Sequence, residues 1–100
     1  MTNVKLTQVS DTLRVSILGC SPIPSHGVIS VTLTLPTNQP ARVELLDLLG
    51  RRIETFDIGA LGRGRHTVQL EVGKTVPTGI YVVRLSQGGR SSSAKVVHAS

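Results

Sequence analysis

Few residues of this 100-residue chain have the types and spacing that metal binding requires. The three histidines, His26, His66 and His98, lie far apart, and none has metal-ligand spacing to the single cysteine, Cys20. A lone cysteine cannot form an intrachain disulfide, so we expect Cys20 to be a small, buried and inert side chain. The sequence therefore predicts no metal site and no cofactor.

The nucleophiles and carboxylates form no recognisable catalytic pattern either. No Gly-x-Ser-x-Gly elbow occurs, and Ser21 has no identifiable base. Gly62-Arg63-Gly64 lacks the third glycine, the following helix and the Lys-Ser/Thr pair of a phosphate-binding loop. Glu44 and Asp47 stand at a strand-to-turn junction, where an aspartate is expected to cap the free amides of the turn. The sequence thus predicts a protein that is not an enzyme and has no small-molecule substrate.

Charge and aromatic content narrow the classes of partner. The chain has 11 basic and 6 acidic residues, a formal net charge of +5, which favours anionic partners. Its only aromatic residues are Phe56 and Tyr81. Stacking of bases or sugars needs aromatic platforms, so their scarcity argues against nucleic-acid binding and carbohydrate binding. No export signal is visible at the N-terminus, so the chain is either cytosolic or part of a longer exported protein.

Apolar and polar residues alternate along most of the chain. In 29–35 the odd positions are apolar and the even positions polar, which predicts a strand with one buried face. In 53–58 the apolar Ile53 and Phe56 are three residues apart, which indicates a β-bulge. Further strands are predicted at 13–17, 41–45, 66–72, 81–85 and, as a short last strand, 95–98.

Turn-forming residues separate these segments, at 36–40, 47–50, 62–64, 76–79 and 87–90. About seven short strands with turns at such intervals predict an all-β, immunoglobulin-like antiparallel β-sandwich. We expect this sandwich to span residues 13–100. Residues 1–12 are expected to be a linker or an additional N-terminal strand.

Five segments resemble, in order, the motifs of one known family. Ser21-Pro22-Ile23-Pro24 is similar to its Pro-Asn-Pro motif, and Asp47-Leu48-Leu49-Gly50-Arg51 matches its Asp-x-x-Gly-Arg turn. Segment 61–66, with Gly64, resembles its Leu-x-x-Gly-x-His/Tyr motif, and 77–85 resembles its Gly-(Ile/Val)-Tyr-x-x-Arg-(Leu/Val) strand. Lys95-Val96-Val97 resembles its closing strand. The family is the type A C-terminal sorting domain of the type IX secretion system.

The resemblance implies a sandwich that ends a larger exported protein and serves as its address. A cargo domain would precede it in the same chain, and an outer-membrane translocon would recognise it in the folded form. A cell-surface sortase would then cut upstream of it and often join the cargo to an anionic lipopolysaccharide. The implied location is the medium or the cell surface, reached through the periplasm of a Gram-negative bacterium.

The residues that carry the resemblance have predicted roles. Glycines are expected where the backbone needs positive φ or close approach, and Tyr81 is expected to bury its ring and hydrogen-bond its hydroxyl. A core does not need Arg51, Arg84 or Lys95, so these are candidates for a recognition surface, with an ordinary solvated face as the alternative. The full set of candidate site residues is Pro22, Pro24, Asp47, Gly50, Arg51, Gly64, Gly79, Tyr81, Arg84 and Lys95.

Two other function classes stay open at the level of sequence. A structural assembly module, similar to the flagellar hook-capping protein, would have a related sandwich and an Asp-x-x-Gly-Arg turn. That family has Trp-Asp-Gly before its last hairpin, where this chain has Leu70-Glu71-Val72-Gly73. The other class is an accessory carbohydrate-binding or spacer module of a secreted enzyme, against which the scarcity of aromatic residues argues.

Overall fold

The computed structural model describes residues 13–99, so the expectation of a linker or strand at residues 1–12 lies outside the described residues. Among residues 13–99 there is no helix long and apolar enough to cross a membrane. This part of the chain forms seven strands: β1 (Ser16–Ser21), β2 (Val28–Leu35), β3 (Ala41–Leu46), β4 (Arg52–Gly59), β5 (Gly64–Glu71), β6 (Gly79–Gln87) and β7 (Arg90–His98).

The strands form two antiparallel sheets that pack face to face. The three-stranded sheet has the order β1-β2-β5, and the four-stranded sheet has the order β4-β3-β6-β7. The non-sequential pairs β2–β5 and β3–β6 link distant parts of the chain. This arrangement confirms the predicted all-β, immunoglobulin-like sandwich of seven strands.

The core lies between the sheets and is almost entirely aliphatic. The alternate residues of β2 and the facing residues of β3 and β6 have essentially no exposed surface. Burying each such side chain contributes about 1.5–3 kcal/mol relative to leaving it in water. Phe56 packs only partly against this core. The most deeply buried aliphatic residues are Ile29, Val31, Leu33, Leu35, Val43, Leu45, Val83, Leu85 and Val96.

The first and last strands differ from their predicted extents. The alternation at 13–17 predicts a strand that ends at Ile17, but β1 begins at Ser16 and continues to Ser21. A register shift between Ile17 and Gly19 leaves Leu18 exposed and allows Ile17 and Cys20 both to pack against the core. This irregularity hides the strand from a period-2 pattern. β7 spans nine residues, so the prediction of a short last strand is wrong.

The predicted bulge in the fourth strand is confirmed. The pairing of β3 with β4 shifts where Leu45 lies opposite Glu54 and Leu46 lies opposite Arg52, which leaves Ile53 without a partner. Glu54, next to this bulge, is half-buried, and its Oε1 accepts a hydrogen bond from the Gly73 backbone N–H at 2.9 Å.

Two ends of the sandwich can be distinguished by their loops. We call one the motif end: it contains the β1–β2 loop, the β3–β4 turn, the β5–β6 loop and the last residues of β7. Contacts between the sheets hold these segments together, since Ser25 pairs with His98 and Gly73 binds Glu54. The opposite end contains the β2–β3 loop, the β4–β5 loop and the Gly88-Gly89 turn.

Candidate recognition surface

The turn between β3 and β4 is organised around the carboxylate of Asp47. Its Oδ1 accepts hydrogen bonds from the backbone N–H groups of Leu49 (3.0 Å) and Arg51 (2.8 Å). Its Oδ2 accepts one from Arg51 Nε at 2.7 Å. Gly50 closes the turn at φ +83°, in the left-handed region that an L side chain disfavours. The predicted role of Asp47 as a turn cap is therefore confirmed.

These hydrogen bonds favour the ionised form of the Asp47 side chain. The hydrogen bond from the Arg51 backbone N–H is the largest influence that holds the pKa of Asp47 below its ordinary value, and the Arg51 guanidinium adds to it. Asp47 is therefore a carboxylate at neutral pH. The Arg51 side chain remains 73% exposed above it, so the turn presents a cation to solvent.

A second cluster of charges lies at the centre of the outer face of the four-stranded sheet. Glu44 Oε1 accepts hydrogen bonds from Arg84 Nε (3.1 Å) and Arg84 Nη2 (2.8 Å), and Glu44 Oε2 lies 3.4 Å from Arg52 Nε. The side-chain hydrogen bond from Arg84 is the main cause that lowers the pKa of Glu44, and the charges of Arg52 and Arg42 add to it. The alternation of β3 predicts a wet position for Glu44, but its neighbours cover it almost completely.

Arg84 and Lys95 share this outer face. Arg84 of β6 lies directly opposite Glu44 of β3, while Lys95 of β7 lies opposite Val82, two residues earlier along β6. Lys95 is exposed, and Arg84 keeps 42% of its side-chain surface. Of the three candidate cations, two therefore lie on one sheet face, and Arg51 lies in the turn that follows β3.

Tyr81 anchors the beginning of β6 at the motif end. Its ring is buried, and its hydroxyl donates a hydrogen bond to the Pro77 carbonyl oxygen at 2.6 Å. This is the tyrosine-corner arrangement that the sequence predicts. Gly79 does not have positive φ; a Cβ there would lie 3.6 Å from Tyr81 Cε1, so the ring packs beside this glycine.

The β1–β2 loop joins the two sheets next to the end of β7. Pro22 and Pro24 are exposed in this loop, and both follow cis peptide bonds. Beyond them, fully buried Ser25 donates its N–H to the Val97 carbonyl and accepts the Ala99 N–H, each at 2.8 Å. Ser25 Oγ also lies 3.2 Å from His98 Nδ1. We call these contacts the Ser25 clasp.

The structure brings together most of the candidate site residues. Gly64 alone is remote, because it begins β5 at the opposite end, with φ +131°. Arg84 and Lys95 lie along the outer face of the four-stranded sheet. The residues at the motif end are Pro22, Pro24, Asp47, Gly50, Arg51, Gly79 and Tyr81.

Sequence reasoning missed several residues of this surface. Leu48 and Leu49, the variable positions of the Asp47 turn, are 62% and 80% exposed. Ile80 and Val97 are also exposed and lie directly opposite each other on β6 and β7. The sequence does contain a signal for the exposed Ile80. Residues 80–83 form an uninterrupted apolar run, which places apolar side chains on both faces of the strand. Isolated turn leucines carry no comparable signal.

The described residues offer no obvious metal chemistry. Across residues 13–99, no group of three or more His, Cys, Asp or Glu side chains is placed to hold a metal ion. Cys20 is half-buried, and burial raises the pKa of its thiol, which keeps it in the unreactive protonated form at neutral pH.

Comparison with known proteins identifies the family. No curated protein and no solved structure matches the chain significantly. Residues 21–99 match the family described as the secretion system C-terminal sorting domain. The match begins in the first proline motif and ends after β7, so it covers every segment of the motif end. The chain therefore belongs to the family of C-terminal sorting domains of the type IX secretion system.

Proposed function

We propose that this chain is the C-terminal address of a longer exported protein, with the division into residues 1–12 and a sandwich at 13–100. An outer-membrane translocon recognises the folded sandwich and carries the preceding cargo from the periplasm of a Gram-negative bacterium to the cell surface or the medium. A cell-surface sortase then cuts on the N-terminal side of the sandwich, or attaches the cargo to anionic lipopolysaccharide. The domain itself performs no catalysis.

The observation that carries this proposal is the family match over residues 21–99, which spans the sandwich from its first proline motif to its last strand. The geometry supports recognition of a folded form. The Asp47 turn and the Ser25 clasp are each held by several short hydrogen bonds, and the Tyr81 corner is held by one of 2.6 Å, so the motif end has one defined shape. A rigid surface lowers the entropic cost of binding.

The candidate residues divide between two proposed roles. Arg51, Arg84 and Lys95 contact the partner, because their cationic groups are exposed on or beside the four-stranded sheet. Most of the others shape the surface on which these cations lie: Pro22, Pro24, Asp47, Gly50, Gly79 and Tyr81. Gly64 shapes the opposite end of the sandwich, where it begins β5.

The arrangement of the aromatic residues disfavours a carbohydrate-binding role. Sugar-binding modules present exposed aromatic rings for stacking. In this chain Tyr81 is buried and Phe56 packs against the core, and the sequence contains no other aromatic side chain. The accessory carbohydrate module is therefore the weaker alternative.

An export assay tests the proposed address. Residues 1–100 are fused behind a reporter that carries an inner-membrane export signal and expressed in a bacterium with a working type IX system. We expect the reporter on the cell surface or in the medium. The reporter without the chain, and the fusion in a strain that lacks the translocon, serve as controls and should both remain periplasmic. Periplasmic retention of the fusion in the competent strain would refute the address.

A further inference from the structure

The outer faces of the two sheets differ sharply in composition. The outer face of the three-stranded sheet is mostly neutral and polar: Thr32 and Thr67 lie opposite each other with their hydroxyls 3.3 Å apart, and Ser30 lies opposite Gln69. The outer face of the four-stranded sheet combines apolar side chains with arginines. The four-stranded sheet therefore presents a surface that differs chemically from the outer face of the three-stranded sheet.

The apolar side chains gather at the motif end of this second face. Leu46 lies opposite Val82, and Ile80 lies opposite Val97, which gives neighbouring apolar pairs across β3, β6 and β7. Leu48 and Leu49 extend from the turn immediately after β3. Leu46 is covered by its neighbours and only 5% exposed, so we call the accessible members of this set the apolar patch: Leu48, Leu49, Ile80, Val82 and Val97.

The charges around the apolar patch are layered. The carboxylates of Glu44 and Asp47 lie beneath the arginines, with only 6% and 16% of their side chains exposed. The guanidinium groups of Arg51, Arg52 and Arg84 lie above them, and each carboxylate contact involves only one or two nitrogens of a guanidinium that carries five N–H donors. The face therefore presents cations held at fixed positions.

We propose that the apolar patch and its arginines are a docking surface for a protein partner with apolar side chains and carboxylates at its contact face. This inference rests on the proposed address function and names the surface that the secretion machinery reads. Leu48 and Leu49 act as apolar anchors, since buried apolar and Arg groups dominate the energy of protein interfaces. The arginines bind carboxylates of the partner through their remaining donors.

Charge and composition favour such a protein partner over a second copy of the chain and over a lipid surface. A second copy of the chain would place the same cationic face against itself, and like charges at an interface cost several kcal/mol. A lipid surface is usually engaged with Trp or Tyr side chains at the interface. The chain has no Trp, and its single Tyr is buried.

The test compares two variants in the reporter fusion of the export assay. The patch variant combines Leu48→Ser, Leu49→Ser, Ile80→Thr and Val97→Thr. The control variant, Leu18→Ser with Val28→Thr, alters exposed apolar residues of the three-stranded sheet; Val28 and Val97 are 39% and 38% exposed. We expect the patch variant to reduce export at least tenfold, because loss of each anchor weakens binding by roughly tenfold. The control variant should export within about twofold of the unaltered fusion, since surface changes outside an interface have small effects.

A charge reversal tests the second half of the proposal. Lys95→Glu places a carboxylate at the edge of the apolar patch, whereas Arg65→Glu makes the same kind of change on β5 of the other sheet. Of these two variants, we expect only Lys95→Glu to reduce export, because its new carboxylate repels the carboxylates of the partner. Thermal unfolding of each purified chain shows whether the variants remain folded; all should unfold cooperatively within a few degrees of the unaltered chain, since the altered side chains are exposed.

The outcomes separate this inference from the address itself. If the unaltered fusion is not exported, the address fails. If it is exported and the folded patch variant is exported equally well, or the control variant fails to the same extent, the docking surface is refuted and the address stands. Two further results would also refute it: dimerisation of the unaltered chain but not of the patch variant in sedimentation equilibrium, and patch-dependent binding to phosphatidylglycerol vesicles.

Discussion

Glu44 shows how a single buried carboxylate organises a surface. It lies on the outer face of a sheet, where alternation predicts contact with water, yet Arg84 and Arg52 cover it from two sides. A charge removed from water is stable only when paired, so the two arginines are held in place by the carboxylate beneath them. Residues that look like ordinary solvated cations in the sequence are therefore structurally fixed.

Substitution of Glu44 tests this residue-scale interpretation. Glu44→Gln removes the charge and weakens the hydrogen bonds to Arg84, so we expect the free energy of unfolding to fall by about 1–2 kcal/mol near neutral pH; the partial exposure of both arginines limits the loss. Glu71→Gln, on an exposed position of β5, is the matched control and should change stability by less than about 0.5 kcal/mol. Urea denaturation measures the free energy of unfolding of both variants.

The same variant has a predicted pH dependence. The folded state lowers the pKa of Glu44 below its ordinary value of 4.5, so this group stabilises the fold above that value. Its contribution is lost as the pH falls below 4.5 through the folded pKa. The difference in unfolding free energy between the unaltered chain and Glu44→Gln should therefore shrink under acidic conditions. A difference that stays constant down to about pH 3 would contradict this linkage.

At the scale of elements, the β3–β4 turn combines a left-handed backbone position, occupied by glycine, with an exposed apolar tip. Asp47 satisfies the amides of the turn from inside, and Gly50 adopts the positive φ that allows the chain to reverse into β4. The turn thus holds Leu48 and Leu49 outward without support from the core. An apolar tip on a rigid turn is a suitable anchor for a partner, because little conformational entropy is lost on binding.

Gly50→Ala tests the backbone requirement of this turn. A Cβ added at Gly50 would meet no atom within 4 Å, so the expected loss of about 1–2 kcal/mol comes from the positive φ alone. Gly19→Ala is the control, because Gly19 has open space and no positive φ. It should be neutral or slightly stabilising. Equal effects of the two substitutions on the thermal unfolding midpoint would rule out backbone strain at Gly50.

The elements also show what the sequence could and could not predict. Alternation located β2, β3, β5 and β6, since one face of each strand is in the core. It failed at β1, where a local bulge at Leu18 breaks the period. It also could not predict the burial of Glu44 or Glu54, because both depend on partners from segments distant in sequence. The motif residues were found through the family resemblance, while the apolar patch appears only when β6 and β7 are paired.

At the scale of the whole molecule, the strands differ in how well they are covered. β2, β3 and β6 have hydrogen-bonded neighbours on both sides, whereas β4 and β5 have a neighbour on one side only. β1 and β7 are also edge strands, but they contact each other across the sheets through Ile17 N–H and Ser92 Oγ and through the Ser25 clasp. The open side of the sandwich is therefore the side of β4 and β5.

Hydrogen exchange should reveal this asymmetry. We expect the amides of β2, β3 and β6 to be the slowest to exchange, because they are released only when the sandwich opens. Alternate amides of β4 and β5 face solvent at a free edge and should exchange much faster. Mass spectrometry of the purified chain measures the rates. Protection of β5 equal to that of β2 would mean that its free edge is covered in solution.

The Ser25 clasp has a consequence for the order in which the molecule is made. A ribosome releases the chain from the N-terminus, and the partners of Ser25 in the clasp are Val97, His98 and Ala99. Val96, one of the most deeply buried core residues, also comes from β7. The sandwich therefore cannot close until translation has reached its last strand, by which time everything encoded upstream has been synthesised. In this topology, a closed domain means that every residue encoded before β7 has already been synthesised.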